Sequence, residues 1–178
     1  MNAENGGLVM EGNKISVGIL TMSDTRAIGS GKVDLSGQKI KEMVETEGYS
    51  VVAYKLICDD FDEIKKSLIK MSNEGIHLIL TTGGTGLSPR DNTPEATKSI
   101  LDKEVPGISE AMRYHSLKIT PRAMLSRGVS GIRKKTLIIN LPGSPKAVQE
   151  NLEYILPHLR HGIEVLRQEV QECGSENT

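Results

Sequence analysis

The chain's 178 residues suit one domain with a sizeable core. A net charge of -1, a pI near 6.4 and an aromatic content of 3%, with Phe61 the single Phe and no Trp, argue against a nucleic-acid partner. No apolar run approaches membrane-spanning length, and no cationic-then-apolar leader opens the chain, so a cytoplasmic protein without membrane contact is expected.

Residues 1–13 are polar and read as a disordered N-terminal segment, and 171–178 as a polar C-terminal tail, around a single domain at 14–170. The first strand is predicted over 15–22, with Ser23 and Asp24 at its C-terminal end and a Gly- and Ser-rich loop running to Ser36. Ser36 suits the cap of a helix reaching Glu47, with Ile40, Met43 and Val44 on one face and Gly48 ending it. A second strand is predicted over 51–57, followed by Cys58, Asp59 and Asp60, then a helix over 62–72 carrying Ile64, Leu68 and Met71.

The apolar run at 76–80 predicts a buried strand, and the chain then passes through Thr81, Thr82, Gly83, Gly84, Thr85 and Gly86. Beyond Pro89, Arg90 and Asp91, Thr93 suits an N-cap, Pro94 the first helical position and Glu95 the first turn. A helix to about Leu101 follows, then another after Pro106 and Gly107, with Ile108, Ala111 and Met112 inward, and a short helix within 120–127. A last strand is predicted over 135–141. Ser144 and Pro145 then start a long helix, with Leu152, Ile155, Leu156, Leu159, Ile163 and Leu166 as its apolar face and a kink at Pro157.

Strands alternating with helices predict a three-layer α/β/α fold with a mostly parallel sheet. Ligands of such sheets bind outside the carboxyl ends of the strands. Four loops are therefore expected on one edge: Ser23-Asp24, Asp59-Asp60, 83–91 and 142–145.

The glycine loop is not a P-loop, because it lacks the Gly-Lys-Ser/Thr ending. Nor is it a dinucleotide fingerprint, because Pro89 stands where the third small residue belongs and the loop follows the third strand. Either a tight turn or an anion site fits three glycines among hydroxyls, and Arg90 favours the anion site. Asp59 and Asp91, each just past a strand, suit Mg²⁺ shared with phosphate oxygens, with Asp24 a third candidate and a turn or cap role the alternative for each. Asp60 and Asp62 read as helix-start residues.

His77 reads as a satisfied structural histidine, and His158 and His161 lack the further ligands of a zinc site. Cys58 has no base and orienter to make it a nucleophile and reads as a buried thiol, while Cys173 falls in the tail. The basic run Arg133, Lys134 and Lys135 reads as a solvated turn or as a contact for an anionic substrate.

Taken together, 81–86, Pro89-Arg90-Asp91 and Thr93-Pro94-Glu95-Ala96 resemble the signature of the molybdenum-cofactor biosynthesis domain. That domain occurs in bacterial molybdopterin adenylyltransferases, their MoaB-type relatives and the G domains of larger fusion proteins. The resemblance runs from about Lys14 to Val170. It takes in Thr21-Met22-Ser23-Asp24, Val105-Pro106-Gly107, Ser126-Arg127 and 140–146.

The resemblance implies a homotrimer that binds molybdopterin and, in the adenylyltransferase branch, transfers the adenylyl group of Mg-ATP to it. It places the catalytic and Mg²⁺-holding roles on Asp59 and Asp91, and phosphate binding on Gly83, Gly84, Thr85, Gly86 and Arg90. It places Ser23, Asp24 and Ser144 in loops around the pterin. It also implies contact with the proteins that make molybdopterin and that insert molybdenum. The MoaB-type alternative binds the pterin without turnover.

Overall fold

The computed structural model describes residues 14–27 and 33–168. The segment 1–13, part of the Gly- and Ser-rich loop, and the tail 171–178 with Cys173 lie outside the described residues. The elements in order are β1 (Ser16–Met22), α1 (Asp24–Ala27), α2 (Leu35–Thr46), β2 (Ser50–Ile57), α3 (Phe61–Asn73) and β3 (Leu78–Thr82). Then come α4 (Thr93–Lys98), β4 (Lys103–Glu104), α5 (Pro106–Leu117), a 3-10 helix (Pro121–Leu125), β5 (Ser130–Arg133), β6 (Thr136–Leu141) and α6 (Pro145–Arg167).

The sheet order is β2-β1-β3-β6-β5-β4. Its first four strands run parallel, and β5 and β4 are antiparallel additions at one edge. Alternation along the strands divides the core into two layers. Leu78, Leu80, Leu137, Ile139 and Leu141 pack with Ile40, Val44, Leu152, Leu156 and Ile163 of α2 and α6. On the other face Ile79 and Ile138 pack with Ile64, Leu68 and Met71 of α3 and Ala96 of α4. Burying each such side chain contributes roughly 1.5–3 kcal/mol. With no Trp and one Phe, the core is aliphatic.

Several local expectations are corrected. Asp34, not Ser36, caps α2, its Oδ1 accepting the Gly37 N–H at 3.0 Å, while Ser36 sits inside the helix and its hydroxyl donates to the Gly143 carbonyl at 2.8 Å. The third strand begins at Leu78 and runs through Thr82, so the glycine loop starts one strand-end later than the apolar run suggests. Asn92 is the residue before α4, and α4 ends at Lys98 rather than near Leu101. No sequence pattern marks the β4–β5 pairing, because β4 has two exposed residues and β5 contains Gly131, where a Cβ would collide with Leu101. Arg133 ends β5, and Lys134, at φ 54°, makes the tight turn into β6.

The expectations for Asp60, Ser144 and His77 hold. Asp60 caps α3 by accepting the Glu63 N–H at 2.9 Å, and Ser144 caps α6 by accepting the Ala147 N–H at 3.2 Å. His77 is structural: its Nδ1 accepts the Ser16 N–H at 3.1 Å, and its own N–H donates to Ser16 Oγ. Cys58 is half-buried rather than buried. No helix among the described residues is long and apolar enough to cross a membrane.

Candidate functional site

Because β1, β2, β3 and β6 are parallel, their C-terminal ends deliver four loops to one edge, and hydrogen bonds join these loops. The Asp24 N–H donates to Asp59 Oδ2 at 3.1 Å, and the Asp59 N–H donates to Asp24 Oδ1 at 3.0 Å. The Ser23 N–H donates to the Ile57 carbonyl at 2.9 Å. Arg90 grips the Asp24 carboxylate with Nε at 3.0 Å and Nη2 at 2.8 Å. Thr82 Oγ1 donates to the Pro142 carbonyl at 2.6 Å, and a Cβ on Gly143 would lie 3.4 Å from Gly83 Cα. Ser144 adjoins this contact, but its hydroxyl oxygen is engaged by α6.

The glycine loop has its carbonyls tied down. Thr93 Oγ1 donates to the Gly83 carbonyl at 3.0 Å and the Thr93 N–H to the Gly84 carbonyl at 3.1 Å. The Arg127 N–H donates to the Thr85 carbonyl at 3.0 Å and Arg127 Nε to the Gly86 carbonyl at 2.6 Å. The amides of Gly84, Thr85 and Gly86 have no protein acceptor among the described residues. Gly83 and Gly84 sit at φ 95° and 62°, in the left-handed region that favours glycine. Four anchored carbonyls and three free amides on a turned backbone make an anion-binding concavity.

The carboxylates beside this loop are in unequal environments. Asp59 Oδ1 is buried and has no hydrogen-bond partner. Burial is the main force pushing the Asp59 carboxyl above its ordinary value; the Asp24 N–H pulls it back, and the charges of Asp24 and Asp91 push it further up. The Asp59 N–H, followed by Arg90, holds Asp24 below its ordinary value. Asp91 is half-buried, and its Oδ2 accepts the Ser88 N–H at 3.1 Å. Among the described residues no three His, Cys, Asp or Glu side chains are grouped to hold a metal on their own. A cation shared with phosphate oxygens needs only one or two carboxylates.

A cavity of about 290 Å³ opens at Thr85 and Gly86, between α5, the 3-10 helix and α6. Its wall includes Met112, Ser116, Ser126, Asn140 and Asn151, but not Ser23, Asp24 or Ser144. Asn140 is 1% exposed: Nδ2 donates to Thr81 Oγ1 and Thr97 Oγ1, both at 3.0 Å, and Oδ1 accepts the Val129 N–H at 3.2 Å. The sequence gives Met112 only an inward helix position and marks none of these residues as part of a cavity. The one available signal was a polar Asn inside the apolar run 137–141.

The arrangement defines an α/β protein whose glycine loop leaves three amides free, with carboxylates on one flank and a cavity on the other. Residues 18–161 match the family described as a probable molybdopterin binding domain, and the chain belongs to that family. A molybdopterin adenylyltransferase of Helicobacter pylori is 42% identical over 92% of this chain and 94% of its own length. That of Escherichia coli K12 is 41% identical over 79% and 73%. The molybdopterin biosynthesis enzyme MoaB of Thermus thermophilus superposes with a TM-score of 0.80 at 48% identity, covering 86% of this chain and 97% of that one.

Proposed function

We propose that the chain is a molybdopterin adenylyltransferase of molybdenum-cofactor biosynthesis, joining the terminal phosphate of molybdopterin to the adenylyl group of ATP. Its similarity to curated enzymes of that name over nearly the whole chain supports the activity. The observation that carries the chemistry is the glycine loop, with the amides of Gly84, Thr85 and Gly86 free beside the partnerless Asp59 Oδ1.

A phosphate oxygen of molybdopterin attacks the α-phosphorus of ATP, the bond from that phosphorus to the bridging oxygen breaks, and pyrophosphate leaves. The nucleophile is already an oxyanion, so the protein's task is alignment and charge neutralisation rather than proton removal. In this reading the loop amides and Arg90 hold phosphate oxygens, with Gly83 supplying the turn. The donor set fits Mg²⁺: a buried carboxylate oxygen without a hydrogen bond suits a cation, and Asp59 and Asp91 would hold it. When bound, the ion neutralises charge on the phosphates. The pterin ring is assigned to the cavity at Thr85 and Gly86, whose wall mixes apolar side chains with the Ser126 hydroxyl. Ser23, Asp24 and Ser144 shape the opposite rim, Asp24 by holding Arg90.

A homotrimer, a cytoplasmic location, residues 14–170 as one domain, and contact with molybdopterin-making and molybdenum-inserting proteins complete this reading. The trimer and the protein contacts rest on the family resemblance. Product formation tests it: protein, molybdopterin and Mg-ATP should yield adenylyl-molybdopterin, identified by mass, in excess over the protein. Product absent, or never exceeding the protein, would favour a MoaB-type carrier.

A further inference from the structure

Arg127 lies outside every role assigned above, yet it makes more bonds to the glycine loop than any other distant residue. Its N–H holds the Thr85 carbonyl at 3.0 Å, Nε the Gly86 carbonyl at 2.6 Å and Nη2 the Asp91 carbonyl at 2.5 Å, while Nη1 pairs with Glu95. Among the described residues, the other hydrogen bonds to the backbone of 83–91 come from Thr93, Ser88 and Asp91, all local in sequence. Arg127 therefore spans the loop, joining its glycine end to its aspartate end. Its neighbours Ser126 and Gly128 line the cavity.

We infer that Arg127 is a positioning residue for adenylyl transfer: its guanidinium fork fixes the spacing between the amides at Gly84–Gly86 and Asp91. The inference rests on the reaction proposed above, and its geometry stands apart from it. One rigid planar group takes two carbonyls five residues apart, so neither end of the loop can rotate independently. With its carbonyls drawn to Arg127 and Thr93, the loop cannot present them to an incoming phosphate. Lys cannot substitute, because an ammonium lacks the fixed fork.

The test compares wild type, Arg127→Ala and Arg127→Lys in turnover and in amide exchange followed by NMR. Misplacement of about 1 Å in a reacting geometry can cost about 100-fold, so Arg127→Ala should lose about 10- to 100-fold in kcat with far smaller changes in KM for Mg-ATP and molybdopterin. Arg127→Lys should remain mostly impaired, and added guanidinium ion should restore part of the Arg127→Ala rate but none of an Asp91→Ala rate. The Ser88, Asp91 and Thr93 amides, bonded within the loop, should exchange faster in Arg127→Ala, while those of β1 and β3 keep their protection.

Wild-type kcat in Arg127→Ala, or full restoration by Lys, would overturn the inference. Unchanged exchange at Ser88, Asp91 and Thr93 would overturn it even if the fold held. If Arg127→Ala does not fold, Arg127→Lys carries both readouts. If wild type forms no adenylyl-molybdopterin, the reaction proposed above fails, and the exchange arm still decides whether Arg127 fixes the loop.

Discussion

Asp24 and Asp59 each accept the other's backbone N–H, at 3.0 and 3.1 Å. The reciprocal pair ties the end of β1 to the end of β2. It uses Asp59 Oδ2 and leaves Oδ1 buried without a partner. Arg90 pairs with Asp24, so the two carboxylates sit differently: Asp24 has a cation beside it, while Asp59 keeps one buried oxygen without a partner.

The raised Asp59 carboxyl has a consequence for stability. The folded chain holds that proton more tightly than the unfolded chain, so stability falls as pH rises from the ordinary carboxylate range through the raised value, and the loss is full above it. Asp59→Asn should therefore raise the thermal midpoint at pH 7, and the gain should shrink as pH falls through that window. The same variant should lose adenylyl transfer, and wild-type turnover should drop on acidification as Asp59 takes up its proton. Melting curves at pH 7 and pH 4 decide it. An equal difference at both pH values, or a midpoint lowered at pH 7, would count against the assignment.

Gly84→Ala should damage both fold and function. At φ 62° an alanine is strained, and its Cβ would collide with Thr93 Oγ1 and stand 2.9 Å from Asp59 Oδ1. A cost of about 1–3 kcal/mol in unfolding free energy is expected, with turnover lost. Denaturant titration reads the first and product formation the second. A variant as stable and active as wild type would mean the loop does not need its left-handed turn.

Asn140→Ala should cost about 3 kcal/mol, because it strips partners from the Val129 N–H and from the buried hydroxyls of Thr81 and Thr97 together. Chemical denaturation with an unchanged m-value would check it. A loss below about 1 kcal/mol would show that these groups find other partners.

Much of this architecture is legible in the residues. The apolar runs of β1, β3 and β6 declare buried parallel strands, which gathers Asp24, the glycine loop and Ser144 on one edge, and the parallel pairing of β2 with β1 adds Asp59. Asp60 and Ser144 obey the capping rule because each is followed by a strongly amphipathic helix. Long-range choices stay hidden. Asp34 outcompetes Ser36 for the α2 cap because Tyr54, from β2, donates to Asp34 Oδ2 at 2.6 Å and Gly143 takes the Ser36 hydroxyl. Thr93 turns its hydroxyl back to Gly83 instead of capping α4. The cavity is equally hidden, since its wall combines side chains of three separate helices, α5, the 3-10 helix and α6.

Transfer of an adenylyl group to a pterin phosphate, rather than mere holding of the pterin, is what this edge is proposed to do. Molybdopterin-dependent pyrophosphate release from Mg-ATP measures it most directly. Many pyrophosphates per chain, falling to background when molybdopterin is omitted or Asp59 is changed to Asn, is the predicted result. Release that ignores molybdopterin, or never exceeds one per chain, would mean that the chain does not catalyse the transfer.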